Sequence, residues 1–252
     1  MKSNAEIADT EGVMTVERYA LVTGAGKGLG REIALALADL VSGVAVHYHG
    51  DRAAAEATVR SIRAKGKASI ALRADLTKDR EAAGLIAGAE REFGRLDILV
   101  NNVGPILVKP WLELTASDWE RMFRANLIGS FLCLKVALPG MRTRRWGRVI
   151  NIGYSRAEQL ASFPTITAYA AAKTGLLILT RTAAASEAGS GVTINMVSPG
   201  LLEGGILPKG HHIPEGAAGT FADVTGAVRF LVSEDARAVT GTNLVVAGTW
   251  KM

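Results

Sequence analysis

Tyr19-Ala-Leu-Val-Thr-Gly-Ala-Gly-Lys-Gly-Leu-Gly-Arg-Glu-Ile-Ala34 is the stretch that decides the fold. The apolar run Ala20–Val22 reads as a short buried strand. It stops at a turn with glycines at 24, 26, 28 and 30. A helical pattern then opens, with Ile33, Leu35, Leu37 and Leu40 as its apolar positions. Strand, glycine turn, helix is the arrangement of a phosphate site: the free N–H groups and partial positive charge of a helix N-terminus attract an anion. Gly24 frees the chain to leave the strand, Gly28 allows backbone to approach a pyrophosphate, and Gly30 allows the helix to pack closely on the sheet. The spacing is Gly-x3-Gly-x-Gly rather than the commoner G-x-G-x-x-G, and a tight turn alone would also use these glycines.

Working outward, six further apolar runs read as strands: Val44–Tyr48, Ala68–Arg73, Leu96–Val100, Arg148–Ile152, Val192–Val197 and Asn243–Val246. Helical patterns separate them, among them a run from about 117 to 142, one from about 167 to 188, and a last one over about 222–233. Thr77 is placed to cap a helix reaching about Phe93. Strands alternating with helices at this rhythm predict a doubly wound, seven-stranded parallel sheet. Ligands in such sheets sit beyond the C-terminal strand ends. The polar and glycine clusters at 24–30, 48–52, 75–76, 101–104, 153–155 and 198–204 all follow strand ends, so they converge on one edge.

Bulk properties agree. The chain has 252 residues, 48% hydrophobic, which suits one large α/β domain. Residues 1–17 read as a flexible lead, 18–252 as a single domain, and the Gly/Pro-rich 201–219 as a loop over the site. Net charge is +5. Its basic residues are scattered apart from Arg142, Arg144, Arg145 and Arg148, so no nucleic-acid surface is expected, while an anionic cofactor or substrate suits the balance. The single cysteine, Cys133, sits in an apolar run and reads as a core residue. No disulfide can form within the chain, and a reducing, cytoplasmic setting is expected. No signal peptide, membrane span or metal-ligand spacing is expected.

The chemistry centres on Tyr169-Ala-Ala-Ala-Lys173. Residues four apart share a helix face. A phenol titrates near pH 10, and a neighbouring ammonium favours its ionised form. The pair makes a general acid/base for a carbonyl or alcohol. An ordinary Tyr and Lys on an amphipathic helix is the plain alternative.

With these residues in place, the chain resembles the short-chain dehydrogenase/reductase family, and within it the 3-oxoacyl-carrier-protein reductase group. The resemblance rests on Thr23-Gly24-x3-Gly28-x-Gly30, Asp75-Leu76, Asn101-Asn102-Val103-Gly104, Asn126, Tyr169-x3-Lys173 and Pro199-Gly200. It implies a Rossmann fold and a reductase of C=O groups that assembles as a homotetramer or a dimer. It implies that Tyr169 donates a proton, that Lys173 lowers the phenol's pKa and holds the nicotinamide ribose, and that Asn126 anchors a water. Asp75 and Leu76 would border the adenine, Asn102, Val103 and Gly104 the adenosine side, and Pro199, Gly200 and Leu202 the nicotinamide. Thr23, Lys27 and Leu29 would complete the phosphate turn, and Leu201 would face substrate.

Three departures stand out. The family's carbonyl-binding serine, about 13 residues before the tyrosine, has no clear counterpart: that count reaches Arg156, whereas counting from Asn151-Ile152-Gly153 reaches Tyr154, with Ser155 next. Ser155 or Tyr154 could fill the role. The usual threonine after Pro199-Gly200 is missing, and the tail Val246-Ala247-Gly248-Thr249 is a loose version of the family's. Cofactor choice depends on the end of the second strand. An acidic residue there would bind the ribose 2′-OH of NAD(H). Here the strand ends His47-Tyr48-His49-Gly50, with Arg52 and Lys27 near, which favours NADP(H). Asp51 is the objection, unless it caps the next helix. His47-Tyr48-His49 also resembles pteridine reductases. A pteridine reductase-like enzyme, or an NADP(H)-binding regulatory protein with little catalysis, are the alternative readings.

Overall fold

The computed structural model describes residues 16–202 and 218–248. A seven-stranded parallel sheet has the order β3-β2-β1-β4-β5-β6-β7. The strands are β1 (Tyr19–Val22), β2 (Gly43–Tyr48), β3 (Ala68–Arg73), β4 (Ile98–Asn101), β5 (Gly147–Ile152), β6 (Val192–Pro199) and β7 (Asn243–Val246). Helices α1 (Gly28–Ala38), α2 (Arg52–Arg63) and α7 (Phe221–Val232) cover one face. Helices α3 (Asp79–Phe93), α5 (Gly129–Thr143) and α6 (Thr167–Ser186) cover the other.

Strand alternation assigns the two cores. In β1, Ala20 and Val22 join Ile33 and Leu37 of α1, while Leu21 joins Leu85 of α3 and Leu134 of α5. β4 repeats this, with Ile98 and Val100 on one side and Leu99 on the other. Strands buried on both faces must be apolar at every step, which is why these runs are continuous rather than alternating. Cys133 lies in the second core, and burial pushes its thiol up to about 12.

Three expectations need correction. The run from 117 to 142 is not one regular helix. It comprises α4 (Ala116–Phe123), a π-helical turn (Arg124–Ile128) and α5. Thr77 does not cap α3; Lys78 stands at that position without a side-chain cap. Instead the Thr77 hydroxyl donates to Asp75 Oδ1 at 2.6 Å, and its amide donates to the same oxygen at 3.0 Å. Asp75 captures Thr77 because its carboxylate is two residues away, within reach of a local turn. Strand four also starts later than expected, at Ile98: Asp97 turns the corner, its carboxylate accepting from the Tyr19 amide and Arg95.

The sheet order places β1 beside β4, with the chain winding outward in opposite directions from them. Their C-terminal ends open the crevice where ligands of doubly wound sheets bind. The segment Ala116–Thr143 is long and apolar enough by composition to cross a membrane, but half of its most apolar window is buried within this fold.

Candidate active site

At the end of β1, Thr23 Oγ1 accepts from the amides of Asn102, 2.8 Å, and Val103, 3.0 Å. Asn102 Nδ2 returns a bond to Thr23 O, 2.8 Å. These bonds tie the glycine turn to the end of β4 across the crevice. Gly30 explains itself by contact: a Cβ there would lie 2.3 Å from Gly24 O and 2.5 Å from Asn102 Nδ2, so no side chain fits. Gly28 does the opposite. Its φ is +55° and a Cβ would meet nothing within 4 Å, so the backbone borders open room. Lys27 precedes α1 without offering a side-chain cap. The leading amides of α1 therefore face that room without a capping side chain, the chemistry a nucleotide pyrophosphate requires.

His47, noticed in the sequence only as part of a strand end, proves central to this turn. Its Nδ1 accepts from the Gly24 amide at 3.0 Å, and its Nε2 lies 3.1 Å from Ala74 O. The two partners fix a neutral ring with the proton on Nε2. Burial depresses its pKa to about 4, with His49 adding in the same direction. One imidazole thus joins the glycine turn, β2 and the end of β3.

The remaining groups of the outer crevice fall into place nearby. Asp51 caps α2, accepting from the Ala54 amide at 3.0 Å. Arg52 is exposed and lies 3.7 Å from Glu56. Tyr48 packs at the edge of the first core. His49 Nδ1 lies 3.7 Å from Asp75 Oδ1. Hydrogen bonds from Thr77, its hydroxyl above all, hold the Asp75 carboxyl below its usual value. Leu76 is buried beneath, and its carbonyl would be 2.9 Å from a Cβ on Gly129.

A second cluster lies beyond β4, β5 and β6. Gly104 brings it together: a Cβ there would be 2.6 Å from Lys173 Nζ and 2.8 Å from Asn126 Oδ1. Asn126 sits in the π-helical turn, with Nδ2 donating to Pro105 O, 3.0 Å, and Met122 O, 3.1 Å. Its Oδ1 is buried without a partner among the described residues. Lys173 is buried, and Nζ donates to Ile152 O at 2.7 Å. Burial pushes its ammonium down to about 8. Nζ is 5.9 Å from the Tyr169 ring centroid. The phenol of Tyr169 is pushed up by burial, then by the neighbouring Tyr154, which reverses the direction expected from the ammonium.

The Tyr154 ring meets Tyr169 edge-on, with centroids 5.7 Å apart. Ser155 is held by its backbone, its amide donating to Pro199 O at 2.9 Å. Gly200 donates to Val246 O, and a Cβ there would press on Ala247 at 2.7 Å. Leu201 O accepts from the Gly219 amide, and Leu202 bridges to Gly219. The expected loop over the site falls largely at 203–217, outside the described residues. No group of metal-ligating side chains occurs among the described residues.

The family model described as enoyl-(acyl carrier protein) reductase matches residues 24–249. The chain belongs to the short-chain dehydrogenase/reductase family. It is thereby an oxidoreductase. A 3-oxoacyl-acyl-carrier-protein reductase of Staphylococcus aureus is 35% identical over 244 residues, covering 93% of this chain and 98% of the relative. The like-named reductase of Synechocystis is 36% identical over 238 residues, covering 92% and 96%. Among solved structures, an acetoin dehydrogenase of Enterobacter cloacae superposes with a TM-score of 0.85 at 31% identity, covering 92% of this chain and 96% of that one. A blue fluorescent protein from a metagenomic library, in complex with NADPH, gives 0.85 at 32% identity, covering 93% and 98%.

Proposed function

We propose that this short-chain dehydrogenase/reductase is an NADP(H)-dependent carbonyl reductase whose general acid is Tyr169, acting on substrates of the 3-oxoacyl-thioester class. The observation that carries the reading is the meeting of Tyr169, Lys173, Asn126 and Gly104 at the strand ends that also border the glycine turn. The relatives named as 3-oxoacyl-acyl-carrier-protein reductases support the substrate class.

NADPH, when bound, supplies a hydride to the carbonyl carbon. The protein's part is position and protons. The uncapped start of α1, with Gly28 bordering open room, receives the pyrophosphate. Arg52 and Lys27 are the cations for a 2′-phosphate, and Asp51 does not oppose it, because its carboxylate is occupied on the Ala54 amide. The solved relative bound to NADPH supports the same choice. Tyr169 gives its hydroxyl proton to the carbonyl oxygen as that oxygen gains charge. Lys173, with Nζ 5.9 Å from the Tyr169 ring centroid, is the cation available to stabilise the phenolate that remains. Asn126, its Oδ1 without a partner, serves as an acceptor in the path that returns a proton to Tyr169.

A homotetramer is part of the same reading, supported by Phe131 of α5 and Ile178 of α6, which are exposed at 41% and 63%. Sedimentation of the purified protein tests it. The activity is tested by the initial rate of NADPH oxidation over 3-oxoacyl thioesters, dihydropterins, diketones and quinones, beside the same panel with NADH. Tyr169→Phe is expected to remove turnover while leaving NADPH binding intact. Turnover that survives in that variant rejects the assignment of Tyr169.

A further inference from the structure

We infer that Tyr154 is a catalytic residue of this chain: its hydroxyl donates a second hydrogen bond to the substrate carbonyl oxygen that Tyr169 protonates. The inference rests on the reductase reading above and deepens it.

Three observations carry it. First, Tyr154 is fixed beside the acid. Its ring stands edge-on to Tyr169, centroids 5.7 Å apart, and edge-on to Phe163 at 5.9 Å. Arg156 lies over the far ring, 4.8 Å from the Phe163 centroid, and closes the stack. A ring held between two aromatic neighbours presents its hydroxyl with little loss of freedom on binding.

Second, the Tyr154 hydroxyl oxygen is buried and has no partner among the described residues. A buried hydroxyl without a partner is destabilising, and native proteins keep few of them. Beside a general acid, the group that satisfies this phenol is an acceptor brought in by the reaction. A carbonyl oxygen is such an acceptor, and it accepts more strongly as negative charge grows on it, so the bond favours the transition state over the bound ketone. Burial pushes this phenol up to about 12, so it remains a donor throughout the neutral range.

Third, the backbone around Tyr154 is set by close contacts. A Cβ on Gly153 would lie 2.2 Å from Met196 Cε and 2.4 Å from Ser198 Oγ, so the chain leaves β5 pressed against β6. The Gly153 amide donates to Val197 O at 2.8 Å, and the Ala157 amide donates to Tyr154 O at 2.9 Å. Tyr154 therefore springs from a fixed point. Ser155, the other candidate, forms no hydrogen bond to Tyr169 among the described residues; its amide donates to Pro199 O.

The test compares wild type, Tyr154→Phe, Ser155→Ala and Tyr169→Phe on one carbonyl substrate from the panel, with NADPH affinity followed by fluorescence. Tyr154→Phe keeps the ring and its stacking, so the fold is retained. It is expected to lower kcat about 100-fold, the effect of removing one donor from an oxyanion site. NADPH affinity should stay within about twofold, because the ring and its stacking are kept and only the hydroxyl is lost. With NADPH deuterated at the transferred position, the isotope effect on kcat should rise as hydride transfer slows, which a merely structural change would not cause. Ser155→Ala is expected to match wild type. Full turnover in Tyr154→Phe, or a loss of tenfold or more in Ser155→Ala with Tyr154→Phe unaffected, overturns the inference and leaves Tyr169 in place. Full turnover in Tyr169→Phe, or none in wild type on any carbonyl, overturns the reductase reading and this inference with it.

Discussion

The two edges of the sheet treat charge in opposite ways. At the N-terminal edge, carboxylates meet cations. Asp97 receives Arg95 at 2.8 Å, Arg144 at 3.3 Å and the Tyr19 amide at 3.0 Å. Glu234 receives Arg18 at 2.7 Å, Trp146 at 2.9 Å and the buried Arg148 at 3.4 Å. Glu187 is paired with Arg142. At the C-terminal edge, Lys173 is equally buried yet lies on a carbonyl rather than a carboxylate, and Asn126 Oδ1 and the Tyr154 hydroxyl have no partner among the described residues. The first edge is built for the folded state alone. The second is incomplete until something else supplies the missing groups, a common arrangement where a protein does chemistry.

The sharpest way to break this contrast is to neutralise one charge at each edge. Lys173→Met is expected to lower turnover about 1000-fold, while the melting temperature stays level or rises, since a buried ammonium without a counter-charge is replaced by an apolar chain of similar length. Asp97→Asn should do the reverse. It leaves two guanidinium groups facing a lost carboxylate and should remove about 3 kcal/mol of stability in urea unfolding, with kcat per folded molecule unchanged. A fall in stability for Lys173→Met as large as that for Asp97→Asn would erase the distinction.

His47 gives a pH-dependent test at the same C-terminal edge. Its folded pKa, about 4, lies below the ordinary 6.5. Between these values the unfolded chain binds a proton that the folded chain does not, so stability falls as pH drops through that window. The loss approaches about 3 kcal/mol at its lower end. His47→Asn should flatten this slope in unfolding measured between pH 7 and 4. An unchanged slope would show that the ring is not held neutral. The smallest effect belongs to Asp51→Ala. Losing the α2 cap should remove about 1 kcal/mol, with the preference for NADPH over NADH unaltered. A shift toward NADPH would instead give Asp51 a role at the ribose.

What the sequence revealed and what it hid follow from the range of the interactions. The strands, the glycine turn and the Tyr169–Lys173 face were legible because period and spacing are local. Arg142, Arg144, Arg145 and Arg148 stand out in the sequence as the one concentration among scattered basic residues, and each has its own partner: Glu187, Asp97, the Gly189 carbonyl and Glu234. Those partners all lie 44 or more positions away, beyond any local pattern. His47 was hidden for the same reason, since its two bonds reach Gly24 and Ala74. Thr77 was misplaced because Asp75 competed with the helix end for its hydroxyl. The choice between Ser155 and Tyr154 needed the position of Tyr169 in space.

The π-helical turn at Arg124–Ile128 carries a consequence for how this chain can vary. A turn of this kind holds one residue more than α-helical winding needs, and one residue corresponds to about 100° of rotation. Deleting a single residue there would restore regular winding and give the helix back its hydrogen-bond ladder. It would also swing everything on one side of the cut a quarter-turn or more around the axis, carrying Asn126 away from Gly104. Among chains descended from this one, the lengthened turn should therefore be inherited as a unit: the shortening that the helix would tolerate best is the one the reaction would tolerate least.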